Sequence, residues 1–457
     1  IDNLEIESPG ELMLLNPNGG AIGLLATTRV VYIGLNTDLN AKLLEGNLLL
    51  KKNGKLPSLG EAYLNTRNRD KRESTNARCF ILLADPAMSL LSPNYRVVTT
   101  EINGQPATSF SDTLKALELV TISGEIRNEN DESVLSSFNG ELFPTFYDKP
   151  SKYRTLGQDD ESYPIDFEEQ NRIIYKGNVS VQNGKFSFKF VVPKDIAYNV
   201  DNGKLSYYAK DAGLNHAGGV ELSYKIGGTA DSIINDDKFD ELKLYLDDED
   251  WVFGGITSPT PNLFATLSDS NGINTIGSGI GREMEAILDK GTDAEKSIVL
   301  NDFYRPDLNS YQSGKIEYPF EPLSAGRHTL SLKVWDVYNN SAEAYTEFVV
   351  SESEDITIAN VLNYPNPFNK NTVFHFDHNK AGQEINVNVI ISSVAGNVVK
   401  SITQTFANAS SHSSDITWDG RDDYGDNLAK GVYIYTLTVA AEDGSKQSKT
   451  EKLYIIN

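Results

Sequence analysis

The stretch GGAIGLLATTRVVY, residues 19–32, decides the fold class of the N-terminal region. Turn glycines precede a short apolar run from Ala21 to Thr27. Such a run is typical of a strand that is buried on both faces, as in a parallel sheet between layers of helices. The preceding residues contain the capping box Ser8-Pro9-Gly10-Glu11, which predicts a short helix from Pro9 to Asn16. The strand therefore needs neighbouring strands that the residues before it do not provide.

The rest of the N-terminal region continues the α/β pattern. Leucines at helical spacing between Thr37 and Lys52 predict a second helix, and the capping box Ser58-Leu59-Gly60-Glu61 opens a third that runs to about Arg72. Arg78 to Ala84 (RCFILLA) predicts another buried strand. The order helix–strand–helix–helix–strand is that of a doubly wound α/β domain. Because two strands make an unstable sheet and the chain starts without a Met or a signal segment, we expect the C-terminal part of a longer protein.

The length, charge and composition of the chain limit its possible domain count, partners and cross-links. With 457 residues, the chain is expected to hold three or four domains at about 150 residues each. The net charge of −23 argues against nucleic acid or anionic lipid as a direct partner. The single cysteine rules out a disulfide within the chain. No apolar run approaches the roughly 18 residues of a membrane span.

From about residue 94 the pattern changes to short alternating runs separated by Asn-Gly or Asp-rich turns, which predicts β-sandwiches. The clearest runs are VTISGEI (120–126), GKFSFKFVV (184–192), KLSYYAK (204–210), VELSYKI (220–226), LKLYLD (242–247), LFATLSD (263–269), HTLSLKVWD (328–336) and YTEFVV (345–350). The last hundred residues predict a compact all-β domain of about seven strands. Small, polar stretches place the predicted boundaries at 1–92, 93–230, 231–353 and 354–457.

The sequence offers little for catalysis. Cys79 lies among large apolar neighbours, which favours a buried strand cysteine over an exposed, activated nucleophile. The histidines are scattered over the β-domains, and the strand FHFDH places His375 and His378 on opposite faces, which argues against a metal site. We therefore assign no catalytic residue and no metal ligand within the chain.

Two acidic stretches raise the question of calcium. Asp247-Asp248-Glu249-Asp250 supplies the oxygen ligands that calcium prefers but lacks the Asp-x-Asp-x-Asp-Gly pattern of a preformed loop. Asp419, Asp422, Asp423 and Asp426 lie where Asp-Gly and Tyr-Gly favour a hairpin turn. We interpret both as solvated turns, with calcium as the alternative, and predict no cofactor.

One segment is a candidate binding site. In open α/β sheets, ligand sites collect at the carboxyl ends of the strands. Thr27, Thr28, Arg29 and Tyr32 lie at the end of the first predicted strand. Two interpretations remain open for these four residues, an ordinary strand-to-helix loop and the rim of a pocket.

Several segments resemble known families. GELMLLNPNGGAIGLLATTRVVY and RCFILLADPAMSL resemble the last part of the caspase-like domain of gingipain-type cysteine peptidases, with Ala84 where that family has glycine. NYPNPF and WDGRDDYGDNLAKGVYIYTL resemble the terminal domain of proteins handled by the type IX secretion system of Bacteroidota, and the flagellar hook-cap type of immunoglobulin-like domain. Segments between them, such as FNGELFPTFYDKP and GRHTLSLKVWDVYNNSA, resemble the gingipain-like sortase of that system.

This resemblance implies a multidomain protein in which a C-terminal fragment of a caspase-like α/β domain is followed by all-β immunoglobulin-like sandwich domains. It implies that the catalytic Cys and His lie upstream of Ile1, since Cys79 does not match the family's nucleophile. The implied activity is that of a cell-surface cysteine peptidase and transpeptidase, which removes C-terminal signal domains from exported cargo and attaches the cargo to lipopolysaccharide. Thr27, Thr28, Arg29 and Tyr32 would contribute one wall of the substrate groove.

The resemblance also implies partners and a location, namely an outer-membrane β-barrel anchor protein, other components of the secretion system and the outer face of the outer membrane. Two alternatives remain open. One is a secreted gingipain-like protease that is itself cargo, with a cleavable terminal domain. The other is a non-enzymatic surface adhesin whose sandwiches bind partners or glycans.

Overall fold

The computed structural model describes residues 8–16, 19–44, 48–51, 55–69, 77–128, 132–158, 162–213, 215–230, 237–275 and 281–456. The chain divides into two compact units. The first unit comprises residues 1–96, 127–133 and 210–218, and the second comprises 97–126, 134–209 and 219–457. Among the described residues, no helix has the length and apolar character needed to cross a bilayer.

The first unit has the predicted order of elements, which are α1 (Pro9–Leu15), β1 (Leu24–Thr27), α2 (Ile33–Leu43), α3 (Leu59–Arg69) and β2 (Phe80–Leu83). Both capping boxes form: the backbone N–H of Glu11 donates to Ser8 Oγ at 3.3 Å and that of Glu61 donates to Ser58 Oγ at 3.2 Å. The return bonds, from the Ser8 and Ser58 backbone to Glu11 and Glu61, are 2.8 and 3.0 Å. The reciprocal pairs satisfy donors that a helix start leaves open.

Several bounds in this unit differ from prediction. The first strand begins at Leu24 rather than Ala21, and α2 begins at Ile33 rather than Thr37. The expected extension of α3 to Arg72 and part of the expected second helix lie outside the described residues. Strand length is limited by its partner, because β1 pairs residue for residue with the four residues of β2.

The expectation of a parallel, fully buried sheet is wrong. β1 and β2 pair antiparallel, with Leu24 opposite Leu83 and Thr27 opposite Phe80, and all four residues of β1 are half-buried. An apolar run indicates that a strand is buried, but it does not indicate whether the neighbouring strand is parallel or antiparallel. As a consequence, the carboxyl end of β1 lies beside the amino end of β2.

The first β-region (residues 97–230, with β3 entering from Tyr95) contains fourteen described strands. They are β3 (Tyr95–Ile102), β4 (Gln105–Pro106), β5 (Thr113–Ala116), β6 (Leu119–Asn128), β7 (Gly140–Tyr147), β8 (Ser151–Arg154), β9 (Asp166–Glu169), β10 (Ile173–Lys176), β11 (Val179–Val181), β12 (Lys185–Val191), β13 (Asp201–Asn202), β14 (Lys204–Asp211), β15 (His216–Glu221) and β16 (Lys225–Thr229).

A nine-stranded sheet dominates this region, with the order β10-β7-β14-β15-β3-β6-β12 and with β11 and β4 as side partners of β7 and β3. Its strands alternate buried and exposed positions; in β12, Phe186, Phe188 and Phe190 are buried. The run VELSYKI, expected to be one strand, is split between β15 and β16. The buried Tyr224 lies in that break, and its hydroxyl donates to Thr99 at 3.0 Å.

The second β-region (residues 237–350) forms a four-stranded sheet, β17-β19-β23-β22, and a five-stranded sheet, β18-β25-β24-β20-β21. Large apolar side chains, including Leu263, Met284, Leu332 and Phe348, form one core between them. The strands are β17 (Glu241–Leu246), β18 (Ile256–Thr257), β19 (Asn262–Ser268), β20 (Glu285–Leu288), β21 (Lys296–Val299), β22 (Tyr304–Pro306), β23 (Ser313–Pro319), β24 (Gly326–Trp335) and β25 (Ser341–Val350).

The C-terminal region (residues 356–456) contains seven strands within the described part of the chain. Two sheets, β26-β27-β30 and β29-β28-β31-β32, enclose a core that includes Phe374, Trp418, Tyr435 and Leu453. The strands are β26 (Ile358–Tyr364), β27 (Thr372–His378), β28 (Ile385–Ser393), β29 (Val398–Phe406), β30 (His412–Trp418), β31 (Gly431–Ala441) and β32 (Lys446–Ile455). The domain boundaries at 92, 230 and 353 stay predictions.

Candidate binding groove of the first unit

The loop from β1 to α2 is fixed by contacts with Cys79. Thr28 donates to the Cys79 carbonyl oxygen from its backbone N–H at 2.8 Å and from Oγ1 at 3.2 Å. Arg29 Nε donates to Cys79 Sγ at 3.2 Å. These contacts follow from the antiparallel pairing, which brings the residue before β2 next to the residues after β1.

The other end of this loop faces solvent. Tyr32 is the N-cap residue of α2 and is 75% exposed, and Val30 is 97% exposed. The structure therefore separates the four predicted site residues. Thr28 and Arg29 are engaged with Cys79, whereas Tyr32 is accessible to a ligand.

An open groove of about 410 Å³ runs along β1. Thr27 contributes to its lining within the described residues, but Thr28, Arg29 and Tyr32 do not. The full lining is Ser8, Gly10, Leu24, Leu25, Ala26, Thr27, Asn36, Asn40 and Phe80. Asn36 and Asn40 lie four residues apart on α2, and Asn40 Nδ2 donates to Asn36 Oδ1 at 3.4 Å. The groove thus offers amide and hydroxyl groups beside a strand, which suits an extended polypeptide.

The sequence interpretation missed Asn36 and Asn40. Their spacing of four residues, on a helix that follows the candidate loop, was the available signal. The rule that ligand sites lie at the carboxyl ends of strands pointed to Thr27, which lines the groove. That rule describes open sheets of parallel strands, however, whereas β1 and β2 are antiparallel.

A second cavity, of about 200 Å³, is apolar. Its lining combines β1 and β2 with leucines of the helices, and consists of Ile22, Gly23, Leu24, Leu25, Leu43, Leu48, Leu59, Tyr63, Leu82 and Leu90. The Tyr63 hydroxyl donates to the Phe80 carbonyl oxygen at 2.6 Å, which ties α3 to β2. The cavity is partly open to solvent, so it leaves apolar side chains of the sheet and the helices incompletely covered.

Cys79 is a poor candidate for the nucleophile. It lies in a short 3₁₀ turn, Ala77–Cys79, immediately before β2 rather than within the strand, and it is 2% exposed. Arg29 Nε contacts the sulfur, and burial denies a substrate access to it. This geometry favours a structural cysteine.

The remaining candidates for metal binding form no metal centre. Within the described residues, no group of three or more His, Cys, Asp or Glu side chains could hold an ion. Asp422 Oδ1 instead accepts from the backbone N–H groups of Tyr424 and Asp426, both at 2.9 Å, as the side chain of a tight turn does. Asp248 accepts from Ser411 N and Oγ at 2.6 and 2.8 Å.

Comparison with known families identifies two parts of the chain. Residues 1–91 match Peptidase family C25, the gingipain family, and residues 364–445 match the FlgD Ig-like domain. The start of the chain is therefore similar to the gingipain family, and its end is similar to the FlgD Ig-like domain. The resemblance inferred from the sequence is confirmed, and so is the predicted fold class, an α/β segment followed by immunoglobulin-like β-domains.

Among solved structures, the chain is similar to dimeric latent PorU from Porphyromonas gingivalis, with 26% identity over 95% of this chain and 41% of that one, at a TM-score of 0.38. It thus spans about two fifths of the length of that protein. A Bacteroides ovatus mixed-linkage glucan locus protein, SGBP-B, is 12% identical over 80% of this chain and 71% of its own, with a TM-score of 0.22. No curated protein sequence matches. Because both TM-scores are below 0.5, the functional interpretation of the chain rests on the two family matches.

Proposed function

We propose that this chain carries the end of the peptidase domain and the docking β-domains of a cell-surface cysteine peptidase and transpeptidase, a sortase of the type IX secretion system. The observation that carries the proposal is the combination of a Peptidase family C25 segment at 1–91 with a FlgD Ig-like domain at 364–445 in one chain. The proposed reaction releases the C-terminal signal domain of a cargo protein and joins the new carboxyl end to lipopolysaccharide.

The proposed chemistry is nucleophilic catalysis by a thiolate, with a histidine that moves the proton. The thiolate attacks the peptide carbonyl, and the signal domain leaves as the amine. An amine of the acceptor then attacks the acyl-enzyme in place of water. We assign neither catalytic residue to this chain, since Cys79 is buried, so the proposed dyad is supplied by other polypeptide.

The groove along β1 is the proposed contribution of this chain to substrate binding. Thr27, Asn36 and Asn40 line it, while Cys79 fixes the adjoining loop through Thr28 and Arg29. Tyr32 lies at the exposed end of the same loop, outside the lining of the groove, and is proposed to extend the wall toward solvent. The β-domains are proposed to dock on an outer-membrane β-barrel anchor protein, at the outer face of the membrane.

The testing experiment labels the envelope of the source cells with a thiol-reactive peptide probe and recovers every polypeptide that contains or copurifies with residues 1–457. The proposal expects a labelled cysteine outside this chain, in the recovered material, and an unlabelled Cys79. Labelling of Cys79, or recovery of the chain with no labelled cysteine, contradicts it.

A second assay separates the sortase from a secreted cargo protease. Mature surface material is mapped by peptide mass spectrometry for the segment 364–445. Retention of this domain in the mature protein, together with transfer of a cargo carboxyl end to an added amine, supports the sortase. Loss of the domain on maturation supports cargo, and release of cargo by hydrolysis alone contradicts the transpeptidase step.

A further inference from the structure

The acidic turn between β17 and β18 contacts the C-terminal region, although neither is part of the candidate groove. Asp248 accepts two hydrogen bonds from Ser411, from the backbone N–H at 2.6 Å and from Oγ at 2.8 Å. Ser411 is 3% exposed. A carboxylate that accepts a backbone and a hydroxyl donor from another region forms a directed, charge-assisted contact.

The residue after Ser411 is a histidine that one carboxylate holds in place. His412 Nδ1 donates to Asp377 Oδ1 at 2.6 Å, and Asn360 Nδ2 donates to the other oxygen of Asp377, also at 2.6 Å. His412 Nε2 lies 3.4 Å from His375 Nδ1. The His412 side chain is about one quarter exposed, so it can exchange protons with solvent.

The groups that face His412 come from both regions. Asp377 and His375, with the nearby buried His378, belong to β27 of the C-terminal region, whereas Asp248 and Asp250 belong to the turn of the second β-region. Asp247, the remaining aspartate of the turn, is bound to Thr257 Oγ1 and Asn262 N of its own region. His412 thus follows directly after Ser411, the residue that contacts Asp248, and the charges of Asp248 and Asp250 act on it from the second β-region.

The positions of these carboxylates determine whether protonation of His412 favours or opposes contact between the two regions. The hydrogen bond to Asp377 raises the pKa of His412, partial burial opposes this, and the charges of Asp250 and Asp248 raise the pKa further. The contribution of Asp377 lies within one region and is present whether or not the two regions are in contact. The contribution of Asp250 and Asp248 exists only in contact, so the docked state binds protons more tightly than the undocked state.

We propose that Asp248, Ser411 and His412 form a pH-dependent catch between the second β-region and the C-terminal region. The catch tightens as the pH falls through the titration range of His412 and loosens as the pH rises. Protonated His412 attracts the carboxylates of Asp248 and Asp250 across the contact, and neutral His412 removes this attraction while the hydrogen bonds from Ser411 to Asp248 remain. The inference does not depend on the proposed function, since it uses no residue of the first unit.

Hydrogen–deuterium exchange on the full chain tests the catch, with the amide of Ser411 as the reporter. Protection is measured in the peptide around Ser411 between about pH 5.5 and 8.5, and it is corrected for the intrinsic exchange rate. Burial lowers the pKa of His378 to about 4, so this histidine stays neutral throughout that pH range. In the wild type, the protection of this amide should fall about three- to fivefold as the pH rises across this range, as expected of a partly exposed charge interaction.

Three variants complete the test. His412→Gln keeps a donor toward Asp377 but does not titrate, and it should abolish the fall in protection. Asp250→Asn, which changes the second β-region and leaves the fold of the C-terminal region intact, should reduce the fall, so the proposal stays testable even if His412→Gln does not fold. His216→Gln, in the first unit, is the matched control and should behave as the wild type. A wild-type protection that does not change with pH, or an unchanged fall in both His412→Gln and Asp250→Asn, would overturn the catch.

Discussion

The first unit and the C-terminal region differ in how completely they enclose their apolar side chains. In the first unit the sheet has two described strands, and many large apolar side chains are at least half exposed: Leu12, Met13, Leu15, Ile22, Val30, Tyr32, Ile33, Leu44, Leu49, Leu64 and Leu91. In the C-terminal region, sheets of three and four strands enclose a continuous core around Phe374, Tyr435 and Leu437, which are fully buried. The contrast shows that an apolar sequence needs enough strands on both sides before it can form a core.

The difference has a consequence for the first unit. Several of its elements expose apolar side chains, and an apolar cavity lies beside α3. Together they form a surface that other polypeptide can cover. The C-terminal region has no such need, because each of its sheets covers the inner face of the other. We therefore expect the two to behave differently when they are isolated, mutated or titrated.

The largest effect is expected for isolated segments. A 1–91 polypeptide should show no cooperative thermal transition, since its two-stranded sheet buries too little apolar surface, whereas a 354–457 polypeptide should unfold cooperatively. Circular dichroism melts of both segments provide the measurement. A cooperative melt of 1–91 by itself would break the comparison.

The next effect concerns the core of the C-terminal region. Phe374→Ala removes a fully buried ring that packs edge-to-face on Tyr435 at 4.8 Å, and should cost about 3–5 kcal/mol of unfolding free energy. Denaturant unfolding followed by Trp418 fluorescence measures it. Val394→Ala, at a side chain that is 70% exposed in the same region, is the control and should change little. Equal effects of the two substitutions would contradict the core assignment.

A buried histidine makes the stability of the C-terminal region pH-dependent. Burial lowers the pKa of His378 to about 4, and its Nδ1 accepts from the backbone N–H of Lys380 at 3.1 Å. Because the unfolded chain binds the proton more tightly, stability should decrease by about 3 kcal/mol as the pH falls from 6.5 toward 4.

Denaturant unfolding at several pH values tests this prediction, with His378→Asn as the comparison, since Asn keeps an acceptor near the position of Nδ1. The variant should lose most of the acid sensitivity. If wild type and variant lose stability in parallel, the histidine is not its source. The catch at His412 has the opposite sign, because carboxylates raise the pKa of His412 whereas burial lowers the pKa of His378.

The smallest effect is expected at the exposed apolar residues of the first unit. Leu15→Ser and Ile33→Ser, at side chains that are 68% and 84% exposed, should change the stability of the full chain by less than about 0.5 kcal/mol. They should also lower the binding of an apolar dye and self-association, which light scattering measures. A large loss of stability would show that these side chains already pack within the chain.

Part of the fold and of the candidate site could be predicted because the signals are local. The capping boxes at Ser8 and Ser58, the alternation in strands such as β12 and β24, and the turn at Asp422 each depend on residues close in sequence. Thr27 was located in the same way, as the residue at the end of an apolar run. Asn36 and Asn40 were missed because the groove forms only once α2 packs beside β1.

The sequence by itself determined the α/β order of the first unit, the all-β character of the rest and the familial resemblance of both ends, because periodicity and capping are properties of neighbouring residues. Only the tertiary structure decided that β1 and β2 are antiparallel, that Cys79 holds Thr28 and Arg29, and that Ser411 contacts Asp248. These contacts join residues from 50 to 163 positions apart, and no local pattern encodes which distant groups meet. Their geometry depends on how whole elements pack.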